Sequence, residues 1–388
     1  MSDQEPTNEI TTADVETEVP DEGSRSILLG LLSQLGKGSD LHRITLPTFI
    51  LESRSMLERI TDFMSHPDLI LKAGEIQDPV ERFIGVTRYF LSGWHIRPKG
   101  VKKPYNPILG EQFRAKWKFA DGTEAFYVAE QVSHHPPIST YFYSSPENNI
   151  TILGDLLPKS RFYGNSAATL MQGEIKVSLT DRPGEEYFIT MPNVYARGVL
   201  FGTMLMELGD VASIRCPKLD LICTLEFKVK GIFTGTYNAI AGKIKRETTG
   251  ECLYDISGKW SDEIYIKNAS GTKKDVLFDT KVAKIQPKIV AREEEQEVNE
   301  SRRLWSKLTQ ALKINNQDLA TIEKSKVEDD QRARTKAREE KELAHVSRYF
   351  EPNGNGGFDI KLKNISSDPQ EAKKQIQDFI FNTPAPTN

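Results

Sequence analysis

The chain has 388 residues, 38% of them hydrophobic and 27% charged, with a formal net charge of −4. This is ordinary composition for a folded chain with material for a large core, and the acidic balance without a basic block excludes a strong nucleic-acid binder. Cys216, Cys223 and Cys252 form neither a paired framework nor a zinc motif, which points to a reducing compartment, and no run reaches the roughly 18 apolar residues of a membrane-spanning helix.

Residues 1–23 are acidic and poor in aromatics, which predicts a disordered tail and no secretory or mitochondrial signal. Residues 24–45 contain SILLGLLSQLGKG, with Leu28, Leu31, Leu32 and Leu35 at helical spacing. Two readings stay open there: a short helix packed on the core, or an amphipathic lid over a cavity or on a membrane. Residues 46–110 form a helical and turn region, in which MLERITDFM and PVERFIGVTRYFLSGW carry core-like faces. It ends in KKPYNPILGE, Lys102 to Glu111, a proline-bracketed turn that presents Lys103 and Asn106.

From Glu111 the period changes to two. FRAKWKF puts Phe113, Ala115, Trp117 and Phe119 on one face, ADGTE supplies a hairpin turn, and AFYVAEQV follows. ISTYFYS, NITILGDL, GEIKVSL, EYFITMP, LDLICTLEFKV, TYNAIAGKIK, ECLYDISGKW and EIYIKN continue the series without alternating helices. The expected fold is mainly β with flanking α: a large antiparallel barrel over residues 111–290, wide enough to enclose an apolar ligand. Residues 291–388 read as a C-terminal helical region, with a long charged run and a loop-rich end containing PNGNGG and NTPAPTN.

Within the barrel region, EQVSHHPPIS sets His134 and His135 before two prolines, which pushes His135 towards extended geometry. A metal site would need a further ligand at suitable spacing, and none is near. Nucleophilic catalysis would need an activated Ser or Cys, and no G-x-S-x-G elbow exists. An imidazole pair gripping an anion fits better, with Lys103 and Arg332 adding fixed positive charge. In the charged run, Lys324, Glu328 and Arg332 stand at i, i+4 and i+8 on one helix face, where ion-pair support along an exposed helix is the plain alternative.

EQVSHHPP resembles the signature of the oxysterol-binding protein family. KKPYNPILGE resembles that family's upstream motif, and the Lys324/Glu328/Arg332 spacing its third headgroup element. The resemblance runs from about residue 24 to about 345, with no pleckstrin-homology or ankyrin region before it, as in a short single-domain member. It implies that residues 24–388 form one lipid-binding domain, an incomplete antiparallel barrel around a lipid tunnel with an N-terminal lid carrying the four leucines. It further implies that His134, His135, Lys103, Asn106, Lys324 and Arg332 bind the phosphates of phosphatidylinositol 4-phosphate, with Glu328 orienting the basic pair.

LPTFILE, Leu46 to Glu52, resembles the segment that marks the fungal phosphatidylserine-exchanging subgroup, as do RSMLERITDF, GWHIRPKGVKKP and SRFYGNSAA. Ser53 and Tyr105 depart from the pattern of close relatives. Membership of that subgroup implies a serine headgroup held by Leu46, Thr48, Lys103, Asn106 and Ser160. The expected function is transfer of phosphatidylserine between membranes in exchange for phosphatidylinositol 4-phosphate; sterol exchange against the same lipid, or lipid sensing without transport, is the alternative. No catalytic residue, cofactor or metal is expected, because a lipid hydrolase would need a nucleophile or a metal-bound water. The expected partners are the two lipids, transiently contacted membrane surfaces and a tether protein at contact sites, with no nucleic acid. The expected place is the cytoplasm, peripheral at contacts between endoplasmic reticulum and plasma membrane.

Overall fold

The computed structural model describes residues 47–98, 101–201, 203–231 and 235–386, together with 10–11, 17–18, 30 and 38–39. Leu28, Leu31, Leu32, Leu35 and Leu46 lie outside the described residues.

A 3-10 turn at Thr48–Ile50 leads into β1 (Leu51–Ser55). Ser55 then caps α1 (Met56–Arg59), which continues as 3-10 turns to Met64. Two longer helices follow, α2 (Pro67–Glu75) and α3 (Pro79–Ser92), each with proline at its start, where a missing N–H costs nothing. Asp78 Oδ1 accepts from Val80 N and Glu81 N, both at 2.9 Å, and so satisfies two donors that the helix start would leave open. The two helices cross closely at Gly85, where an added Cβ would stand 2.9 Å from the Cβ of Ala73. β2 (Lys103–Tyr105) lies parallel to β1, with Leu51 opposite Lys103. The segment expected as a turn is therefore strand in its first half.

The sheet comprises β3 (Gln112–Lys118), β4 (Glu124–His134), β5 (Pro137–Ser145), β6 (Ile150–Phe162), β7 (Ser166–Gln172), β8 (Ile175–Leu179) and β9 (Glu186–Ile189). It continues with β10 (Asn193–Arg197), β11 (Met204–Cys216), β12 (Leu221–Lys228), β13 (Ala239–Arg246), β14 (Cys252–Lys259), β15 (Glu263–Asn268) and β16 (Lys274–Asp279). With Thr17–Glu18 added against β11, these make a 15-stranded antiparallel sheet. Neighbours follow chain order except between β6 and β11. Residues 150–154 of β6 pair with β8 and residues 157–162 with β7, while β11 pairs with β10 near its start and with β9 near its end. Two short pairs, β7–β10 and β8–β9, fill one gap end to end. Four of these strands, β7, β10, β11 and β16, have no counterpart in the sequence expectation.

The edges are β3 and β16, and no ladder joins them among the described residues. The chain leaving β16 crosses back along β3 instead. Ile289 N donates to Lys116 O at 2.7 Å, Lys116 N to Ile289 O at 3.0 Å, and Gln112 N to Asn299 O at 3.0 Å. This strap bridges the open seam, and the barrel is incomplete.

Alternation along each strand separates inside from outside. On β4, Ala125, Tyr127 and Ala129 join Phe83, Val86 and Phe90 of α3 in the inner core. Phe126, Val128 and Val132 face the other way, under Tyr349, Phe350, Ile376 and Ile380. That outer cover comes from β17 (Phe350–Pro352), its partner β18 (Phe358–Ile360) and α7 (Pro369–Asn382), a helix where a loop-rich end was expected. Each large side chain buried there contributes about 1.5–3 kcal/mol. Before them come α4 (Ser301–Leu304), α5 (Ser306–Lys313) and the long α6 (Gln317–Glu340). These helices pack on the β1–β2 pair, Leu308, Ala311 and Ala320 against Leu51 and Tyr105.

Candidate functional site

Strand direction brings the motifs to one end of the sheet. β4 ends and β5 begins at the His135–Pro136 turn, with His134 opposite Pro137. β6 runs towards that same end, since Ser139 near the start of β5 faces Leu156. β7 returns from there and β10 points back to it, with Ser166 opposite Arg197. The Asn106–Glu111 turn is bonded to β4 at this end: Gly110 N donates to Gln131 O and Gln131 N to Glu111 O, each at 2.9 Å.

A cavity opens here. The centre of a water molecule can occupy ≈ 260 Å³ of it. That is just below the roughly 300 Å³ at which typical ligand pockets begin. Its wall is apolar, built by Leu156 of β6, Ala168 of β7, Val194 and Ala196 of β10, and Met204 and Met206 of β11, with the indoles of Trp94 and Trp260. Several charged groups on the wall already have partners. Arg59 Nε lies 3.2 Å from Asp62 Oδ2, Lys102 Nζ donates to Phe49 O at 2.9 Å, and the Arg97 guanidinium stands 5.0 Å from the Trp260 ring.

Lys103, Asn106 and Ser160 all line this cavity. The Lys103 amine is held down at about 8 by burial and by the neighbouring Lys324 ammonium, with the Glu328 carboxylate opposing. Lys324 Nζ donates to Glu328 Oε1 at 2.6 Å. Two ammonium groups against one carboxylate leave excess positive charge beside an apolar cavity, a setting in which an anion would be stabilised.

The other expected residues are more scattered. The His134 and His135 rings lie 4.6 Å apart at the hairpin tip, the first half-buried and the second exposed. Arg332 is turned about 80° from Lys324, because each four-residue step rotates a helix by about 40°. Its side chain is 66% exposed and pairs with Asp329, while the inward face of α6 continues through buried Gln331. The three charges expected on one face therefore divide into an inward pair and an outward arginine. Thr48 is buried, and its Oγ1 donates to Gln317 Oε1 at 2.8 Å, which ties the 3-10 turn to the start of α6.

Two carboxylates at the site escaped the sequence reading. Glu111 is buried, with its carboxyl pushed up by burial; it accepts from Ile108 N at 3.0 Å, Ser301 Oγ at 2.7 Å and Trp305 Nε1 at 2.9 Å, and so pins the turn to α4. Glu130 accepts from Arg348 N at 2.8 Å and Tyr349 N at 3.0 Å, and burial pushes it up to about 7. Its signal in the sequence is a carboxylate interrupting the apolar outward series Phe126, Val128, Val132. Among the described residues, no group of three or more His, Cys, Asp or Glu stands together as metal ligands would.

The oxysterol-binding protein family model matches residues 30–313. An oxysterol-binding protein homolog of Schizosaccharomyces pombe is 51% identical over 86% of this chain and 71% of its own length. Oxysterol-binding protein homolog 7 of Saccharomyces cerevisiae is 46% identical over 93% of this chain and 84% of its own. Among solved structures, the Osh1 ORD domain in complex with ergosterol superimposes with a TM-score of 0.71 at 22% identity, covering 92% of this chain and 90% of that one. The Osh3 ORD in complex with PI(4)P, from Saccharomyces cerevisiae, gives 0.68 at 20% identity, covering 95% and 98%. At that identity the two structures speak for the fold.

Proposed function

The chain belongs to the oxysterol-binding protein family, and from that premise we propose that it extracts phosphatidylserine and carries it between membranes in exchange for phosphatidylinositol 4-phosphate. The observation that carries this reading is an apolar cavity opening beside Lys103, with the Lys324–Glu328 pair next to it. Two acyl chains hold roughly 30 methylenes, and at about 0.8 kcal/mol each their exposure to water would cost more than 20 kcal/mol. A carrier must therefore enclose the chains and meet the charged headgroup with cations at the mouth. Lys103 and Asn106 would serve both lipids, Ser160 the serine headgroup, and His134, His135, Lys324 and Arg332 the phosphates. The place of action under this reading is the cytoplasm, at contacts between endoplasmic reticulum and plasma membrane.

The test is phosphatidylserine transfer between liposomes at low protein-to-lipid ratio, with and without phosphatidylinositol 4-phosphate in the acceptor. Exchange requires the opposing lipid to accelerate transfer, and His134→Ala with His135→Ala to abolish that acceleration while phosphatidylserine extraction remains. Transfer indifferent to the opposing lipid would overturn exchange, and stoichiometric binding without turnover would leave a sensor. Likeness to the Osh1 domain bound to ergosterol favours a second reading, sterol in place of phosphatidylserine; labelled sterol in the same assay separates the two.

A further inference from the structure

The loop between β10 and β11 keeps apolar surface in water beside the cavity. Phe201 is 65% exposed, and Tyr163, on the adjoining β6–β7 loop, is 41% exposed. The exposure is enforced by hydrogen bonds. Asn165 Oδ1 accepts from Leu200 N at 2.9 Å and Phe201 N at 2.8 Å, while Asn165 Nδ2 donates to Phe201 O at 2.9 Å. Asn165 O also accepts from Gly198 N at 3.0 Å. The same loop turns Val199 and Leu200 inward to pack with Phe162 and Met204, and Val199 and Met204 line the cavity. A loop bonded to Asn165 thus forms cavity wall with one side and presents an aromatic ring with the other.

A second apolar group stands across the Thr48–Ile50 turn. Phe49 packs with Val199 and Leu200, whereas Thr48 is bonded to Gln317 at the start of α6. There Ile314 is 68%, Leu319 36% and Ile322 51% exposed. Ile50, between the two groups, lines the cavity. Lys159 and Lys313, both exposed, add positive charge on the two sides.

We infer that Phe201 and Tyr163, with Ile314, Leu319 and Ile322 opposite, seat the protein on a lipid bilayer with the cavity mouth towards it. This rests on the lipid-transfer reading, which requires cargo to pass between bilayer and cavity without crossing water. Aromatic rings and separated aliphatic side chains near lysines suit the boundary between headgroups and acyl chains. The core of a protein interface would be a contiguous, packed patch.

The four native tryptophans, Trp94, Trp117, Trp260 and Trp305, are all buried, so F201W adds one exposed indole. The full-length F201W variant is mixed with vesicles of phosphatidylcholine or brominated phosphatidylcholine, with wild type as background for indoles that touch cargo. Quenching beyond that background is expected, F201S should partition into phosphatidylcholine vesicles on the order of tenfold more weakly, and L319S/I322S should partition less as well. Unchanged thermal unfolding of the serine variants verifies the fold. Absent extra quenching, or F201S partitioning like wild type, overturns the inference. So does a change from dimer to monomer in F201S with partitioning unaltered, which would make the patch a self-interface. Partitioning is read without any extraction, so a protein that docks through Phe201 yet extracts neither phospholipid leaves this inference standing and sinks the transfer reading.

Discussion

Lys103 keeps its proton against burial and against the Lys324 ammonium, with Glu328 alone favouring the charge. An amine held at about 8 is charged at pH 7 and loses that charge as the pH rises through 8, and an anionic headgroup binds the charged form. Extraction of phosphatidylinositol 4-phosphate should therefore decline between pH 7 and about 9, measured as equilibrium binding of labelled lipid; a level profile would remove Lys103 from the contact set. Glu328→Gln takes away the one favourable charge and should move the decline to lower pH. Lys103→Met should abolish the pH dependence and weaken binding by about tenfold or more, the scale of a lost charge-assisted hydrogen bond. Arg332, exposed beside Asp329, should matter less than Lys324 when each is changed to Ala; the reverse order would show α6 turning when lipid binds. Lys103, Asn106 and Ser160 were legible in the sequence because each sits inside a compact motif. The partner of Thr48 was not, since Gln317 lies 269 positions along the chain and no local pattern encodes that meeting.

The strands that the sequence hid are mostly the ones that line the cavity. SAATLMQ, NVYAR and the first half of MLMELGDVASIRC supply Ala167, Ala168, Met171, Val194, Ala196, Met204 and Met206 to the wall. In NVYAR the alternation is present, with Val194 and Ala196 towards the cavity and Asn193, Tyr195 and Arg197 bonded to Asp210 or Glu207 on the other face, but the run is short and carries one small apolar residue and one valine on its inner side. Alanine, which recurs in these segments, is also a weak strand former. β3, with Phe113, Ala115 and Trp117 on the core and Gln112, Arg114 and Lys116 between them, kept its alternation and could be read. α7 was missed for another reason: its amphipathic stripe is short and follows a glycine-rich stretch, and only the apolar back of β4 and β5 gives it a place to pack. The wall offers its own test. Ala196→Phe adds bulk where a half-buried side chain borders open space. Lipid co-purifying with the protein, read by native mass spectrometry, should drop severalfold, while thermal unfolding moves by no more than about 1–3 kcal/mol in stability. Undiminished loading would mean that lipid enters elsewhere.

At the scale of the molecule, buried titrations pull stability in opposite directions with pH. His66 Nδ1 donates to Lys284 O at 3.0 Å, which leaves its Nε2 to accept from His95 Nε2–H at 2.8 Å, and both rings are neutral. Burial, with His66 and Arg97 nearby, holds His95 down at about 3. The unfolded chain binds that proton more readily, so this contribution is complete above the ordinary histidine value and lost as the pH falls towards 3. Glu130 has the opposite sign. With its carboxyl raised to about 7, its contribution is complete below the ordinary carboxylate value and lost as the pH rises through 7. His345, held down at about 4 by burial, acts with His95, and Glu111, pushed up by burial, acts with Glu130, so the two signs meet between about pH 4.5 and 6.5. Across that range Glu130→Gln should make the denaturant midpoint rise more steeply with pH than in wild type, and an unchanged slope in that variant would sink the account. The strap across the open seam also fixes an order of birth. β3 leaves the ribosome early, but Ile289 and Asn299 that line its edge, and Tyr349 and Ile380 that cover the next strand's outer face, are made last. At about 5–20 residues per second, roughly 230 residues of delay amount to about 10–50 s. The bare strand edge lasts until Asn299 is made, and the rings of Phe126 and Phe142 stay open until Tyr349 is made, to whatever chaperones attend them. A message broken before the codon for Tyr349 should therefore yield a chain that chaperones keep rather than release.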